Sequence, residues 1–177
     1  MHLRSLKHVI EAVSALVHPD QIVVMGSSSL LAYDAALGEE GQPLELSLDA
    51  DLLIEPIDGA QVAILHEALG EGSLFHREYG VYVDLLRPEI EETLPPGWRD
   101  RCVPMEVSDN IVCLDPYDLA VAKLCVARDK DMELLQGLVH RGLIRLDELQ
   151  ARYQDTPMDE RRMFRAGRAL GKLKPQG

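Results

Sequence analysis

Residues 47–54 read Ser-Leu-Asp-Ala-Asp-Leu-Leu-Ile, and this stretch decides the fold. Its alternation of apolar and polar residues predicts a β-strand, in which successive side chains point to opposite faces. One face then carries Leu48, Ala50, Leu52 and Ile54, and the other carries Ser47, Asp49, Asp51 and Leu53. Asp49 and Asp51 therefore lie about 7 Å apart on one side of the strand. Because two neighbouring anions on an apolar strand repel each other, we expect a divalent cation held by oxygen ligands to compensate them.

The segment before this strand predicts an anion-binding turn. Apolar residues at helical spacing predict a helix over 3–17, and a short apolar run predicts a buried strand over 21–25. Gly26, Ser27 and Ser28 follow directly, and a helix is expected from Leu30. Free backbone N–H groups at a helix start suit a phosphate, a glycine lets the backbone approach it, and serine hydroxyls add hydrogen bonds. Residues 38–46 are predicted to form a loop.

The segment after the strand adds a third carboxylate. A helix is predicted at about 60–70, and residues 73–78 and 81–86 are predicted to form a hairpin around Tyr79-Gly80. Asp84 lies on the second arm among apolar residues. If that arm lies beside the strand of Asp49 and Asp51, three carboxylates converge on one cleft. A carboxylate cluster beside an anion-binding turn is typical of metal–nucleotide chemistry.

The rest of the chain predicts a loop, a strand pair and a helical segment. The loop covers 87–100, and the strands cover 101–107 and 110–114. Asp115 is a good helix N-cap with Pro116 at the first helical position, and helix is expected to about residue 170, broken near 140–142 and 156–157. The fold class is therefore α+β: a mixed β-sheet core flanked by helices over residues 1–114, followed by a C-terminal helical segment over 115–177.

Three cations on the first C-terminal helix have two interpretations. Lys123, Arg128 and Lys130 are predicted to lie on one helix, with Lys123 and Lys130 on one face. In the first interpretation Lys123 and Arg128 contact a triphosphate. In the second they belong to a solvated charged stripe and pair with acidic neighbours of the same helix.

Composition excludes several classes of protein. Of 177 residues, 18 are Lys or Arg and 30 are Asp or Glu, a formal net charge of −12. So acidic a chain is a poor candidate for binding a nucleic-acid backbone or an anionic membrane surface. No apolar stretch matches a signal peptide or a membrane span, and no histidine or cysteine pattern suggests zinc. The three cysteines have no CxxC spacing and predict reduced thiols in a cytoplasmic protein.

Three sequence motifs carry a family resemblance. VVMGSSSLL, SLDADLLI and VYVDLL resemble, in this order, the motifs of the nucleotidyltransferase superfamily with the DNA polymerase beta-like fold. The chain is most similar to small bacterial nucleotidyltransferase-like proteins of unassigned function, related to the enzymes of abortive-infection toxin–antitoxin pairs. The resemblance covers about residues 21–145, including a helical segment after the core.

The resemblance implies a two-metal nucleotidyl transfer. Gly26 and Ser27 would hold the phosphates of a nucleoside triphosphate, with Ser28 beside them. Asp49 and Asp51 would bind two magnesium ions, and Asp84 would complete the second metal site and activate the acceptor hydroxyl. The gap between Gly26 and Asp49 is longer than in compact members, so the acidic loop 38–46 is expected to cap or reshape the cleft.

Three functions remain open from the sequence. The first is an active nucleotidyltransferase whose acceptor is a small molecule or a protein rather than RNA, because basic residues are few. The second is a non-catalytic binding module, an antitoxin-like component that acts with a partner protein. The third is an acidic α/β protein whose motif matches arise by chance, in which the three aspartates lie far apart.

Overall fold

The chain divides into two compact units. The computed structural model describes residues 1–175. The first unit comprises Met1–Pro88 and Cys102–Leu114, and the second comprises Glu89–Arg101 with the described residues from Asp115 onward. The predicted boundary at residue 114 stays a prediction; in the structure, residues 89–101 group with the second unit. The last two residues of the predicted segment 115–177, Gln176 and Gly177, lie outside the described residues.

A five-stranded mixed sheet forms the centre of the first unit and confirms the α+β class. The strands follow the order β3-β2-β1-β5-β4. Strand β1 pairs antiparallel with β2 and parallel with β5, β2 pairs parallel with β3, and β4 pairs antiparallel with β5. The strands are β1 (Gln21–Val24), β2 (Asp49–Glu55), β3 (Tyr82–Leu85), β4 (Val103–Pro104) and β5 (Ile111–Cys113).

Three α-helices belong to this unit: α1 (Leu3–Val17), α2 (Gly59–Leu69) and α3 (Leu74–Tyr79). The predicted helix over 3–17 is confirmed, because α1 buries its apolar face of Leu6, Val9, Ile10, Val13 and Val17. Two 3-10 helices, Ser27–Ala32 and Ala35–Gly38, follow β1 where an α-helix was expected. The loop that comes next is packed into the unit through the buried side chain of Leu44.

The predicted hairpin over 73–86 is wrong. Residues 74–79 form helix α3, because the Ser73 side chain caps its start by accepting a hydrogen bond from His76 N at 3.0 Å. Gly80 ends the helix with a left-handed φ of 71°, a conformation that glycine adopts without a steric penalty. Strand β3 then pairs with β2, in parallel, since the chain between them forms a helical crossover.

The second unit contains five α-helices among the described residues: α4 (Trp98–Arg101), α5 (Pro116–Val126), α6 (Asp129–His140), α7 (Leu146–Gln154) and α8 (Glu160–Leu170). A 3-10 helix, Pro88–Thr93, lies in the segment predicted to be a loop. The predicted N-cap is confirmed, because the Asp115 side chain accepts hydrogen bonds from the backbone N–H groups of Tyr117 and Asp118. The predicted breaks near 140–142 and 156–157 are confirmed as well.

One helix break was not predicted. Helix α5 ends at Val126, and Ala127 adopts a left-handed φ of 54°. Arg128 is the N-cap of α6, so Lys123 and Lys130 lie on different helices. The expectation that these cations share a single helix is therefore wrong.

A buried ionic cluster holds residues 89–101 against the helices of the second unit. The Asp118 carboxylate is 0% exposed. It accepts hydrogen bonds from Arg101 Nε at 2.9 Å and from the Arg152 guanidinium. Arg101 also donates to the carbonyl of Pro96 at 3.0 Å, so the cluster fixes the chain before β4.

The cysteines are all free thiols. Cys113 lies inside β5, where burial, reinforced by the neighbouring Cys102, raises the pKa of its thiol to about 12. This thiol is therefore neutral at physiological pH and is a poor nucleophile. Of the helices within residues 1–175, none combines the length and the apolar character that crossing a membrane requires.

Candidate nucleotide-binding site

Strands β2 and β3 bring the predicted carboxylates to one face of the sheet. Asp51 is the register partner of Asp84, and Asp49 is the partner of Tyr82. Paired residues of parallel strands point to the same face, about 4.8 Å apart between strands, and alternate residues of one strand share a face as well. Asp49, Asp51 and Asp84 therefore lie on one face of two paired strands. The strand of Asp84 lies beside that of Asp49 and Asp51, which is the condition that the sequence analysis set.

Gly26 lies directly against the carboxylate of Asp51. The Met25 N–H donates to the Asp51 carbonyl at 2.9 Å and ties the turn after β1 to the middle of β2. A Cβ atom built on Gly26 would lie 1.6 Å from Oδ2 and 2.5 Å from Cγ of Asp51. Only a glycine leaves room for this carboxylate, so the Gly-Ser turn and the acidic strand lie in direct contact.

The serines after Gly26 carry buried hydroxyl groups. Ser27 is half-buried, whereas Ser28 is 1% and Ser29 0% exposed. Within residues 1–175, the hydroxyl oxygens of Ser28 and Ser29 have no hydrogen-bond partner. A buried hydroxyl without a partner costs about 1–3 kcal/mol. Together with the adjacent Gly26, this makes both serines candidates for contacts with a ligand.

Tyr82 lies among the acidic side chains of this face. Burial raises the pKa of its hydroxyl, and nearby carboxylates raise it further. These carboxylates belong to Asp49, Glu71, Asp84 and Asp51. The centroid of the Tyr82 ring lies 4.8 Å from that of the His76 ring. The Tyr82 ring therefore forms part of the wall beside the carboxylates.

The donor set suits a hard divalent cation. Carboxylate oxygens are the ligands that Mg²⁺ prefers, and Ser47 Oγ already donates to Asp49 Oδ1 at 3.3 Å. Among residues 1–175, no three His, Cys, Asp or Glu side chains are grouped closely enough to hold one metal ion. Like charges that share a face keep apart unless a cation lies between them. The residues therefore fit magnesium in kind, and binding by all three carboxylates requires their side chains to move closer together.

Replacing Gly26 by alanine is expected to disrupt this site. The new methyl group would overlap the Asp51 carboxylate and force it to move by more than 1 Å. A displacement of this size costs about a hundredfold in function when it moves a catalytic group. We expect Gly26→Ala to weaken magnesium-dependent nucleotide binding by about that factor, measured by calorimetry.

Gly59→Ala is the matched control. Gly59 begins α2, and a Cβ atom there has no neighbour within 4 Å. Alanine is the better helix former, so this variant should bind nucleotide like the unmodified protein. If Gly26→Ala binds nucleotide as tightly as Gly59→Ala, the proposed role of Gly26 is wrong.

Lys123 and Arg128 contact a buried carboxylate of their own unit. Lys123 Nζ lies 3.0 Å from Asp131 Oδ1, and Arg128 Nε lies 2.7 Å from Asp131 Oδ2. Asp131 is 1% exposed. These contacts match the second interpretation, in which the cations pair with acidic residues close to them in the chain. They differ from it in one respect, because the shared partner, Asp131, is buried and not solvated. Their contact with a triphosphate stays a prediction.

The same cluster makes stability depend on acid pH. Burial raises the pKa of Asp131, but Arg128 and Lys123 outweigh burial, so the net pKa lies below its ordinary value. Asp131 therefore stabilises the fold above the unfolded-state pKa of about 3.9, and this contribution is lost as the pH falls through the lower folded-state pKa. We expect Asp131→Asn to reduce the pH dependence of the free energy of unfolding below about pH 4, measured by urea unfolding. Asp129→Asn, an exposed change on the same helix, is the control, and an equal effect of both variants would contradict this account.

The sequence did not reveal several members of these sites. Ser29 directly follows the predicted serines, and Tyr82 lies two residues before Asp84, but neither is among the residues predicted for the site. Their roles depend on burial and on pairing between distant strands, which composition does not encode. A usable signal for Asp118 was its place at the third position after the Asp115 cap, where an acid favours the helix dipole.

A glycine turn lies against a strand carboxylate, with a second carboxylate across the neighbouring strand, and the motif resemblance predicts such an arrangement for a nucleotidyltransferase. Comparison with protein families agrees: residues 2–168 match the family described as nucleotidyltransferase of unknown function (DUF6036). The chain belongs to this family, as the motif resemblance predicted. Comparisons with curated proteins and with solved structures gave no match.

Proposed function

We propose that the first unit transfers a nucleoside monophosphate from a nucleoside triphosphate to an acceptor hydroxyl. The observation that carries the proposal is the contact of Gly26 with the Asp51 carboxylate, next to Asp84 across the parallel strands. This contact brings the turn that is proposed to bind phosphate next to the proposed oxygen ligands. Membership of a nucleotidyltransferase family supports a nucleotide substrate.

The proposed role of each residue follows from its chemistry. Gly26 lets the phosphates approach the backbone, and the hydroxyls of Ser27 and Ser28 donate hydrogen bonds to phosphate oxygens. Asp49, Asp51 and Asp84 would hold two magnesium ions. When bound, these ions stabilise the charge on the attacking and leaving oxygens.

Asp84 is the residue best placed to take a proton from the acceptor. It is exposed, whereas Asp49 and Asp51 are half-buried, so an incoming hydroxyl reaches Asp84 first. A carboxylate that accepts this proton leaves the acceptor oxygen able to attack the α-phosphorus, and the bond from the α-phosphorus to the oxygen of the β-phosphate breaks, so that pyrophosphate leaves. The class of acceptor stays a prediction: the net charge of −12 favours a small molecule or a protein.

Transfer of label from α-³²P nucleoside triphosphates tests this function. The purified protein is incubated with each triphosphate, magnesium and cell extract, and labelled products are separated by size. We expect a labelled product that needs magnesium and is lost in Asp49→Asn. If no label is transferred, or if Asp49→Asn transfers as much as the unmodified protein, the proposed activity is wrong.

The non-catalytic alternative gives a different pattern. A binding module, antitoxin-like and acting with a partner protein, would bind magnesium and nucleotide without transferring label. The spacing of the side chains favours this alternative, because within residues 1–175 no three carboxylates lie closely enough to hold one metal ion. Nucleotide binding that survives Asp84→Asn, without any turnover, would support it.

A further inference from the structure

One segment of this acidic protein carries a net positive charge. Residues 160–174 contain six Lys or Arg and one Glu, a net charge of +5, so the rest of the chain carries −17. The expectation against a nucleic-acid partner rested on the average over the whole chain. Because exposed charges act over a Debye length of about 8 Å, the local charge matters more than the average.

These cations line a groove of about 490 Å³ in the second unit, between the start of α6 and helix α8. Arg161, Arg165 and Arg168 follow one another on α8 at intervals of four and three residues and form a stripe about 10 Å long, and Lys172 lies two residues beyond the end of the helix. Asp129 is the one acidic residue among the groove's lining residues. The groove therefore presents a row of positive charges, which suits an extended polyanion.

The groove also presents an exposed aromatic ring. Phe164 is 68% exposed, and the guanidinium carbon of Arg168 lies 5.7 Å from its ring centroid. Arg165 donates to the Cys125 carbonyl at 3.2 Å, which fixes one member of the stripe before any ligand binds. Exposed aromatic rings beside cations are the elements on which single-stranded nucleic acids stack their bases and place their phosphates.

Two other partners fit less well. A helix that binds a membrane surface buries its apolar face in lipid, but α8 already packs Ala166 and Ala169 inside the unit. An acidic protein segment would satisfy the cations and would leave the Phe164 ring without a planar partner.

We infer that this groove, formed by α8 and the start of α6, binds a single-stranded nucleic acid. The phosphates contact Arg161, Arg165, Arg168 and Lys172, and a base stacks on Phe164. This binding surface belongs to the second unit and does not depend on the proposed transfer activity.

The test measures fluorescence anisotropy of a labelled twelve-nucleotide oligouridylate over a range of NaCl concentrations. Four phosphate contacts predict a slope of log K against log salt near −2.8. Arg161→Gln should bring the slope close to −2.1. Arg162→Gln is the matched control: it removes the same charge from the same helix, but Arg162 is outside the groove and pairs with Asp159. Phe164→Leu should weaken binding about tenfold with little change in slope.

Two results would overturn this inference. One is affinity for the oligouridylate no tighter than about 10⁻⁴ M at physiological salt, which is the level of weak non-specific binding. The other is equal binding of a twelve-residue polyglutamate with no effect of Phe164→Leu, which would assign the groove to an acidic protein. Asp51→Asn should bind the oligouridylate as tightly as the unmodified protein. This result would show that binding in the groove does not depend on the proposed transfer site.

Discussion

The Asp51→Asn variant should lose nucleotidyl transfer and should be at least as stable as the unmodified protein. Asp51 is the carboxylate that touches Gly26 and opposes Asp84 across the strands. Loss of a residue that only supports a metal ligand costs about 10–100-fold. Because Asp51 is a proposed direct ligand, we expect transfer to fall by more than about a hundredfold, measured as labelled product per minute.

The expected gain in stability has an electrostatic reason. Asp49, Asp51 and Asp84 share one face, and their charges repel one another in the folded protein. Removing one charge at constant shape relieves this repulsion, so the melting temperature without added magnesium should stay the same or rise. Loss of activity through unfolding would lower it.

Glu55→Gln is the matched control for this prediction. Glu55 is half-buried at the far end of β2, four residues beyond Asp51, and loses the same charge. We expect it to retain transfer. If Asp51→Asn transfers normally, or loses transfer only because it unfolds, Asp51 is not a ligand of the reaction.

The second large effect is expected from Asp118→Ala in the second unit. This change leaves Arg101 and Arg152 without their buried carboxylate. Breaking a buried ion pair by removing one partner costs about 3–5 kcal/mol, and we expect about 3 kcal/mol because both arginines remain partly exposed. Asp118→Asn, which keeps a carbonyl oxygen as acceptor, should lose less.

Urea unfolding followed by fluorescence measures this effect. Trp98 is the single tryptophan, is buried, and lies in the second unit beside Arg101. Its emission therefore reports on the unit that the substitution affects. Asp147→Ala, which breaks an exposed ion pair with Arg145, should leave the unfolding midpoint nearly unchanged. Similar losses in both variants would contradict the importance of burial.

The sequence predicted the parts of the site that depend on local pattern. Alternation in residues 47–54 identified the strand of Asp49 and Asp51, and the apolar run before Gly26 identified the turn. The contact between Gly26 and Asp51 could not be predicted, because it depends on the antiparallel register of β1 and β2. Register is a property of the whole sheet, and no pattern within one strand specifies it.

The errors have local physical causes. The hairpin was predicted because the segment 73–78 is short and precedes a Tyr-Gly pair. In the structure, Ser73 and Gly80 are instead the N-cap and the C-cap of helix α3. The break after Val126 escaped detection because Ala127 adopts the left-handed conformation without a glycine to signal it.

Calorimetric titration with magnesium and a nonhydrolysable nucleoside triphosphate tests the central claim most directly. Gly26 and the three aspartates are proposed to form one nucleotide site in the first unit. This account predicts one nucleotide bound per chain, with binding that requires magnesium and is lost in both Gly26→Ala and Asp51→Asn. Nucleotide binding that persists without magnesium would contradict this prediction. So would nucleotide binding by Gly26→Ala and Asp51→Asn that is as strong as binding by the unmodified protein.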